Sequence, residues 1–157
     1  MISFTYRVVG SGWAFCTVEL DGRTHESLVS YLGDTIDELL GAIAYIAEGG
    51  SGTRISFFSE PGEDRWVFRR NGRGVDATVD LTVFYHREWR SSRPDDYGRT
   101  EFTAVVPVIE LALAARAMAR EVLAEYEYDR DASHRLWQQE GPFPLGEYER
   151  LNRLLAM

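Results

Sequence analysis

The sequence contains no lysine, and all 17 of its basic residues are arginines. Without a side-chain amine, the chain has no residue for Schiff-base or lysine-base chemistry and lacks the phosphate-binding lysine of a P-loop. It has a single cysteine, Cys16, which excludes an internal disulfide and a cysteine-rich zinc site. Since free thiols persist in reducing compartments, we predict a cytoplasmic protein.

Long apolar runs are also absent. The most apolar stretch, near Ala104, is interrupted by Pro107 and Glu110, so no membrane-spanning segment is predicted. The first ten residues alternate between apolar and polar side chains and carry no basic leader, so we predict no signal peptide. A membrane is therefore not among the expected partners.

Negative charge exceeds positive charge along the chain. There are 25 aspartates and glutamates against 17 arginines, which gives a formal net charge of −8. This balance disfavours binding to nucleic acid and anionic lipid, and it favours a basic partner. With 157 residues, of which 45% are hydrophobic, the chain can bury a full core, and we predict one domain over residues 1–157.

Alternating apolar and polar residues predict an antiparallel sheet. Residues 2–8 and 13–20 should pair as a hairpin, and the Asp21-Gly22 turn should return the chain as a third strand over residues 23–31. Three more strands, joined by two turns, are predicted within residues 54–86. The predicted apolar face of those three strands carries Ile55, Phe57, Trp66, Phe68, Val75, Ala77, Val79, Leu81, Val83 and Tyr85.

The second of those turns, at residues 71–74, has two predicted forms. A type I′ turn and a type II′ turn centred one residue later both keep the apolar face intact. We favour the type II′ turn because it sets Arg69 opposite Asp76 and Arg65 opposite Asp80. Opposite charges across neighbouring strands stabilise a sheet by about 0.2 to 1 kcal/mol each. Because this pairing partly neutralises the charges of the exposed face, that face is predicted to be scaffold and not the contact surface.

Apolar residues at helical spacing predict three helices. The first begins with a capping box at Thr35 and Glu38 and ends at Gly49. In the second, Pro107 either begins the main helix or kinks a longer one, and a short strand before Pro107 is the alternative. The last helix follows the break at residues 141–144. We therefore predict an α+β fold: an antiparallel sheet of five or six strands, helices packed on one face, and a helical C-terminal third.

No group of residues predicts catalysis, a metal site or a cofactor. His86 and Glu88, taken with the distant His134, resemble a two-histidine, one-carboxylate iron site, but so short a pattern is common by chance. Cys16 shares a strand face with apolar residues, which predicts a buried structural thiol and not a nucleophile. We favour a protein without enzymatic activity.

Residues 59–64 form a predicted turn rich in carboxylates. Pro61 and Gly62 suit the second and third positions of a type II turn, which would place Glu60, Glu63 and Asp64 on an exposed hairpin tip. Exposed loop tips are common contact sites. We therefore predict that these three carboxylates bind a partner.

A polar loop is predicted between residues 86 and 99. Its four arginines surround two aromatic residues, a composition that also occurs in nucleic-acid-binding segments, but Asp95, Asp96 and the acidic whole chain disfavour nucleic acid. Exposed Trp89 and Arg90 are the kinds of residue that anchor protein interfaces, so we assign them to partner binding. The four arginines are Arg87, Arg90, Arg93 and Arg99, and the two aromatic residues are Trp89 and Tyr97.

Three segments carry a resemblance to known proteins: residues 28–34 (LVSYLGD), residues 60–66 (EPGEDRW), and Trp137 followed by Phe143-Pro144. In their order along the chain they resemble a group of small, uncharacterised single-domain proteins of high-GC bacteria. Some proteins of this size and acidity are similar to immunity proteins of bacterial toxin systems. That resemblance implies a protein that covers a toxin's active surface, and it brings no catalytic residue with it.

The sequence thus favours a non-enzymatic protein-binding domain, immunity-like, whose acidic surface engages a basic protein partner. The alternative is a small-ligand-binding protein or an unrecognised enzyme with a cleft between sheet and helices. A cleft with convergent polar groups near His86, His134 or Trp137 would favour this alternative. An uncovered edge strand would also allow a homodimer by strand addition.

Overall fold

The computed structural model describes residues 1–10, 13–30, 35–88, 92–132 and 143–156. The order of helices and strands confirms the α+β class. The elements are β1 (Ser3–Gly10), β2 (Trp13–Leu20), β3 (Arg23–Ser30), α1 (Thr35–Ala47), β4 (Gly52–Phe58), β5 (Glu63–Asn71), β6 (Thr78–His86), β7 (Arg99–Pro107), α2 (Val108–Ala132) and α3 (Leu145–Leu155).

The strands form two antiparallel sheets and not the single sheet of five or six strands predicted from the sequence. One sheet has the order β1-β2-β3, and the other has the order β4-β5-β6-β7. No ladder joins β3 to β4, because β3 crosses the inward face of the second sheet. There Ser27 of β3 donates to Asp64 of β5 over 2.6 Å, and Arg23 Nη1 donates to the Thr103 carbonyl of β7 over 2.7 Å.

The core lies between the inward faces of the two sheets and the helices. Phe4 of the first sheet and Trp66 of the second meet with ring centroids 6.2 Å apart. α1 packs against β4 and β5 of the second sheet, whereas α2 packs mainly against β1 of the first sheet and also contacts β7 of the second. α3 packs on both helices through Leu151, which is fully buried. The predicted burial of Cys16 is also confirmed.

The segment before Pro107 is a strand, as the alternative prediction had it. Phe102, Ala104 and Val106 are buried at period two, and Pro107 is the last residue of β7. β7 is an edge strand, where a residue without an N–H group does not break a ladder. α2 then begins at Val108, whose N–H donates to the Ala77 carbonyl over 3.0 Å.

The register of β5 and β6 differs from both predicted pairings. Arg69 lies opposite Asp80, and Arg65 lies opposite Phe84, so the expected pairs of Arg69 with Asp76 and Arg65 with Asp80 are wrong. The shift is an even number of residues, which keeps each side chain on the predicted face of its strand. The face assignment was therefore more robust than the register.

The shift arises from a longer connection between β5 and β6. Residues 72–77 include a turn of 3₁₀-helix over Gly74–Asp76, and Gly72 and Gly74 have φ values of 80° and 70°. Two glycines in the left-handed region make this wider loop accessible. Val75, predicted on the core face, sits in the loop and is 91% exposed.

Among the described residues, no helix is long and apolar enough to cross a membrane.

Candidate functional site

Residues at the end of β6 line a cleft of about 390 Å³. Tyr85 and His86 end β6, Arg99 begins β7 and lies opposite Tyr85 in the ladder, and the loop before β7 returns over this end of the sheet. We call this space the arginine cleft. Six of its lining residues are Arg87, Arg93, Arg99, Tyr85, Tyr97 and Glu88.

Two of the three arginines stack on tyrosine rings. The guanidinium carbon of Arg93 lies 4.5 Å from the centre of the Tyr97 ring, and that of Arg99 lies 5.5 Å from the centre of the Tyr85 ring. Stacking orients the plane of a guanidinium group and keeps its N–H edge available for an anion. Arg99 already donates to Glu101 Oε1 from Nε over 2.8 Å and from Nη2 over 2.6 Å.

A buried arginine on β5 holds the loop that walls the cleft. Arg65 has 3% of its side chain exposed, and its Nε donates to Glu63 Oε1 over 2.9 Å. Its Nη1 donates to the Arg93 carbonyl over 2.7 Å and to Asp95 Oδ1 over 3.2 Å. Asp95 also pairs with Arg54 of β4. The loop is thus fixed to the outward face of the second sheet by charge-assisted bonds.

His86 fixes the same loop from β6. Its side chain is buried, and Nε2 lies 3.0 Å from the Asp95 carbonyl oxygen. A carbonyl only accepts, so we assign the ring proton to Nε2. A Cβ on Gly98 would lie 2.6 Å from His86 Nε2 and 2.7 Å from the Tyr85 carbonyl oxygen. Only glycine lets the loop approach this closely.

The predicted acidic tip is largely buried. Glu63 and Asp64 are 1% and 8% exposed, so the prediction that they stand on a wet turn is wrong, whereas Glu60 is exposed. β5 already begins at Glu63, and Gly62 lacks the positive φ that a type II turn requires. Glu63 and Arg65 share a strand face at spacing i, i+2, and that spacing was the available signal for a buried ion pair.

Asp64 belongs to a polar network between the two sheets. Its Oδ2 lies 2.8 Å from His25 Nε2 and accepts from Ser27 Oγ over 2.6 Å, and Ser27 Oγ accepts from Trp66 Nε1 over 3.0 Å. In a catalytic triad the serine would donate to the histidine. Here both donate to one carboxylate oxygen, so the network joins the sheets and does not form a nucleophile.

Cys16 lies beside this network, opposite Ser27 in the ladder. Burial, followed by the charge of Asp64, raises the pKa of the Cys16 thiol. A thiol held in its neutral form is neither a nucleophile nor a metal ligand at neutral pH. This agrees with the structural role predicted from the sequence.

Two of the predicted partner-binding residues, Trp89 and Arg90, lie outside the described residues, as do His134 and Trp137. Within the described ranges, no group of three or more histidine, cysteine, aspartate or glutamate side chains could hold a metal ion. The sequence identified the arginines of the loop. It missed Tyr85 as a member of the cleft, because alternation assigned that residue to the core face.

Comparison with known proteins leaves the function to be inferred from geometry. No protein-family model, curated protein or solved structure matches the chain. The resemblance to immunity proteins therefore stays a prediction.

Proposed function

We propose that this protein binds a small anionic ligand in the arginine cleft. The observation that carries the proposal is the convergence of Arg87, Arg93 and Arg99 on a cleft whose wall is anchored by buried ion pairs. Tyrosine rings orient the guanidinium groups of Arg93 and Arg99, so these two groups lose less freedom when they bind an anion, which favours affinity. A volume of about 390 Å³ suits a small molecule.

The proposal follows the alternative that the sequence left open, with one change. The convergent polar groups lie near His86, as that alternative required, but the cleft is bounded by a sheet end and a loop and not by helices. The three arginines come from the residue after β6, the loop, and the first residue of β7. Polar groups from separate segments that meet in one cleft are typical of binding sites.

The test is thermal unfolding in the presence of a panel of small phosphates, carboxylates and sulfates. At a ligand concentration 100 times Kd, the folded state gains about 2.7 kcal/mol, which corresponds to a rise in Tm of roughly 5 to 10 °C for a chain of this length. The double variant Arg87→Gln/Arg99→Gln should lose this rise. Arg73→Gln removes the same kind of charge in the loop between β5 and β6 and should keep it. If no anion raises Tm, the proposal is wrong.

A second candidate is protein recognition, and an apolar patch on the first sheet favours it. The outward face of this sheet carries Val9, Trp13, Phe15 and Leu28, of which Val9 is 44% exposed, and Arg7 lies over the Phe15 ring with its guanidinium carbon 5.0 Å from the ring centre. Trp13 and Phe15 are half-buried, and partly exposed aromatic residues beside an arginine are typical of interface anchors. Engagement of a basic, toxin-like partner rests only on the acidic net charge and the exposed Glu60.

This second candidate is tested by affinity capture from the native host with three variants. Val9→Glu places a charge in the apolar patch, Thr5→Glu places the same charge on the same face outside it, and Glu60→Ala removes the exposed carboxylate. Loss of a captured protein with Val9→Glu alone would assign the interface to the patch. Loss with Glu60→Ala alone would assign it to the acidic turn. Equal capture by all three variants would exclude both surfaces.

A further inference from the structure

The three arginines of the arginine cleft come from three separate segments of the chain. Arg87 follows β6, Arg93 belongs to the loop, and Arg99 begins β7. A carboxylate presents two oxygens in one plane, and a single guanidinium group satisfies both of them. A phosphate group presents three oxygens in a tetrahedral arrangement and can accept from several separate guanidinium groups at once. The arrangement fits a phosphate better than a carboxylate.

The negative charges around the cleft favour a ligand with a single phosphate group over a polyanion. Glu88 lines the cleft, Glu101 occupies the Nε and Nη2 atoms of Arg99, and the whole chain carries a formal net charge of −8. A long polyphosphate or a nucleic-acid backbone would extend beyond the cleft into this negative field. A single phosphate group, by contrast, would contact the arginines without extending into that field. Tyr97, which is 64% exposed, offers an aromatic surface to the organic part of the ligand.

From these observations we infer that the arginine cleft binds a small phosphate monoester. This inference rests on the proposed function and narrows it to one ligand class. Arg87 and Arg93 bind the phosphate directly. Arg99 binds it more weakly, because Glu101 competes for its N–H groups. Among the described residues Arg87 forms no ion pair with a carboxylate within 4.0 Å.

The experiment is isothermal titration calorimetry of the full chain with phenyl phosphate and with benzoate. The two probes carry the same ring, so the comparison isolates the anionic group. We expect phenyl phosphate to bind at least about tenfold more tightly than benzoate. Arg87→Gln and Arg93→Gln should each weaken phenyl phosphate binding by about tenfold or more, which is the effect of losing one charge-assisted hydrogen bond. The matched control Arg73→Gln should bind like the unaltered protein.

Glu101→Gln gives an opposite prediction. It releases Arg99 from its charged neighbour, so phenyl phosphate should bind severalfold more tightly. Circular dichroism confirms that each variant is folded.

The possible outcomes distinguish failure of the phosphate assignment from failure of the anion-binding function. Tighter binding of benzoate, lost with Arg87→Gln, would overturn the phosphate assignment and leave the anion-binding function in place. Phenyl phosphate binding that survives both Arg87→Gln and Arg93→Gln would place the ligand elsewhere and overturn the inference. No binding of either probe or of any anion in the thermal panel would overturn the proposed function as well.

Discussion

At the scale of the residue, Arg65 illustrates how an apparently exposed charge becomes part of the framework. Alternation places it on the polar face of β5, yet its side chain is almost fully buried. It is satisfied by the Glu63 carboxylate, the Asp95 carboxylate and the Arg93 carbonyl. A buried guanidinium group is tolerated only with such partners. The loop therefore depends on Arg65 as much as Arg65 depends on the loop.

Replacing Arg65 should be strongly destabilising. Arg65→Ala leaves the buried Glu63 carboxylate without its partner, and we expect the free energy of unfolding to fall by about 3 to 5 kcal/mol in urea denaturation. Arg69→Ala, an exposed arginine four residues further along the same strand, should cost no more than about 1 kcal/mol. The double variant Arg65→Met/Glu63→Leu should recover part of the loss. Equal effects of Arg65→Ala and Arg69→Ala would show that Arg65 does not anchor the loop.

At the scale of the element, the end of β6 is enclosed by two close backbone approaches. A Cβ on Gly62 would lie 2.7 Å from the His86 carbonyl oxygen, and a Cβ on Gly98 would lie 2.6 Å from His86 Nε2. The turn before β5 and the loop before β7 thus contact the same two residues of β6, Tyr85 and His86. Packing at these distances leaves no room for a methyl group.

Gly98→Ala should both destabilise the protein and weaken anion binding in the arginine cleft. The added methyl group displaces either the loop or His86, and we expect a loss of about 1 to 3 kcal/mol in the free energy of unfolding. Gly146→Ala is the matched control, because no atom lies within 4 Å of its Cβ and the site is helical. It should stabilise the protein by up to about 1 kcal/mol. Urea denaturation of both variants measures the change in the free energy of unfolding. If Gly98→Ala leaves this free energy unchanged, the close approach of the loop to His86 is contradicted.

At the scale of the whole molecule, α3 is attached by an apolar contact and a charged contact. Leu151 is fully buried, and Arg150 donates to Glu48 at the end of α1 over 2.7 Å from Nε and 2.5 Å from Nη2. The hydrogen bond from Arg150 holds the pKa of the Glu48 carboxyl below its usual range. The two side chains are 39% and 29% exposed, so water and salt screen the pair.

The pKa shift predicts how the attachment of α3 depends on pH. A carboxyl group whose pKa is lowered by folding stabilises the folded state above its unfolded pKa of about 4.3, and this contribution is lost as the pH falls through the folded pKa. We expect the protection factors of the α3 amides, which correct for the intrinsic exchange rate at each pH, to fall on acidification more in the unaltered protein than in Glu48→Gln. The difference should stay below about 1 kcal/mol. Glu149→Gln, an exposed carboxyl on α3, should behave like the unaltered protein, and identical profiles for all three would contradict the prediction.

The sequence by itself determined the local features of this protein. Period-two alternation predicted the strands, helical spacing predicted α1 and α3, and the apolar neighbours of Cys16 predicted its burial. The α+β class follows from these patterns. Each of these properties depends on residues a few positions apart, so a linear pattern is enough to reveal it. The boundary at Pro107 stayed open, because a proline suits both the end of an edge strand and the approach to a helix.

Only the tertiary structure decided how charges are buried and which residues meet. Arg65 contacts Asp95 across 30 positions, and Asp64 contacts His25 across 39, so no local pattern could show these two contacts or the burial of Asp64. The split into two sheets depends on β3 crossing the second sheet, and the arginine cleft depends on a loop folded back over β6. Such contacts depend on residues far apart in the sequence, because a charge can be buried only where a partner, often a distant one, compensates it.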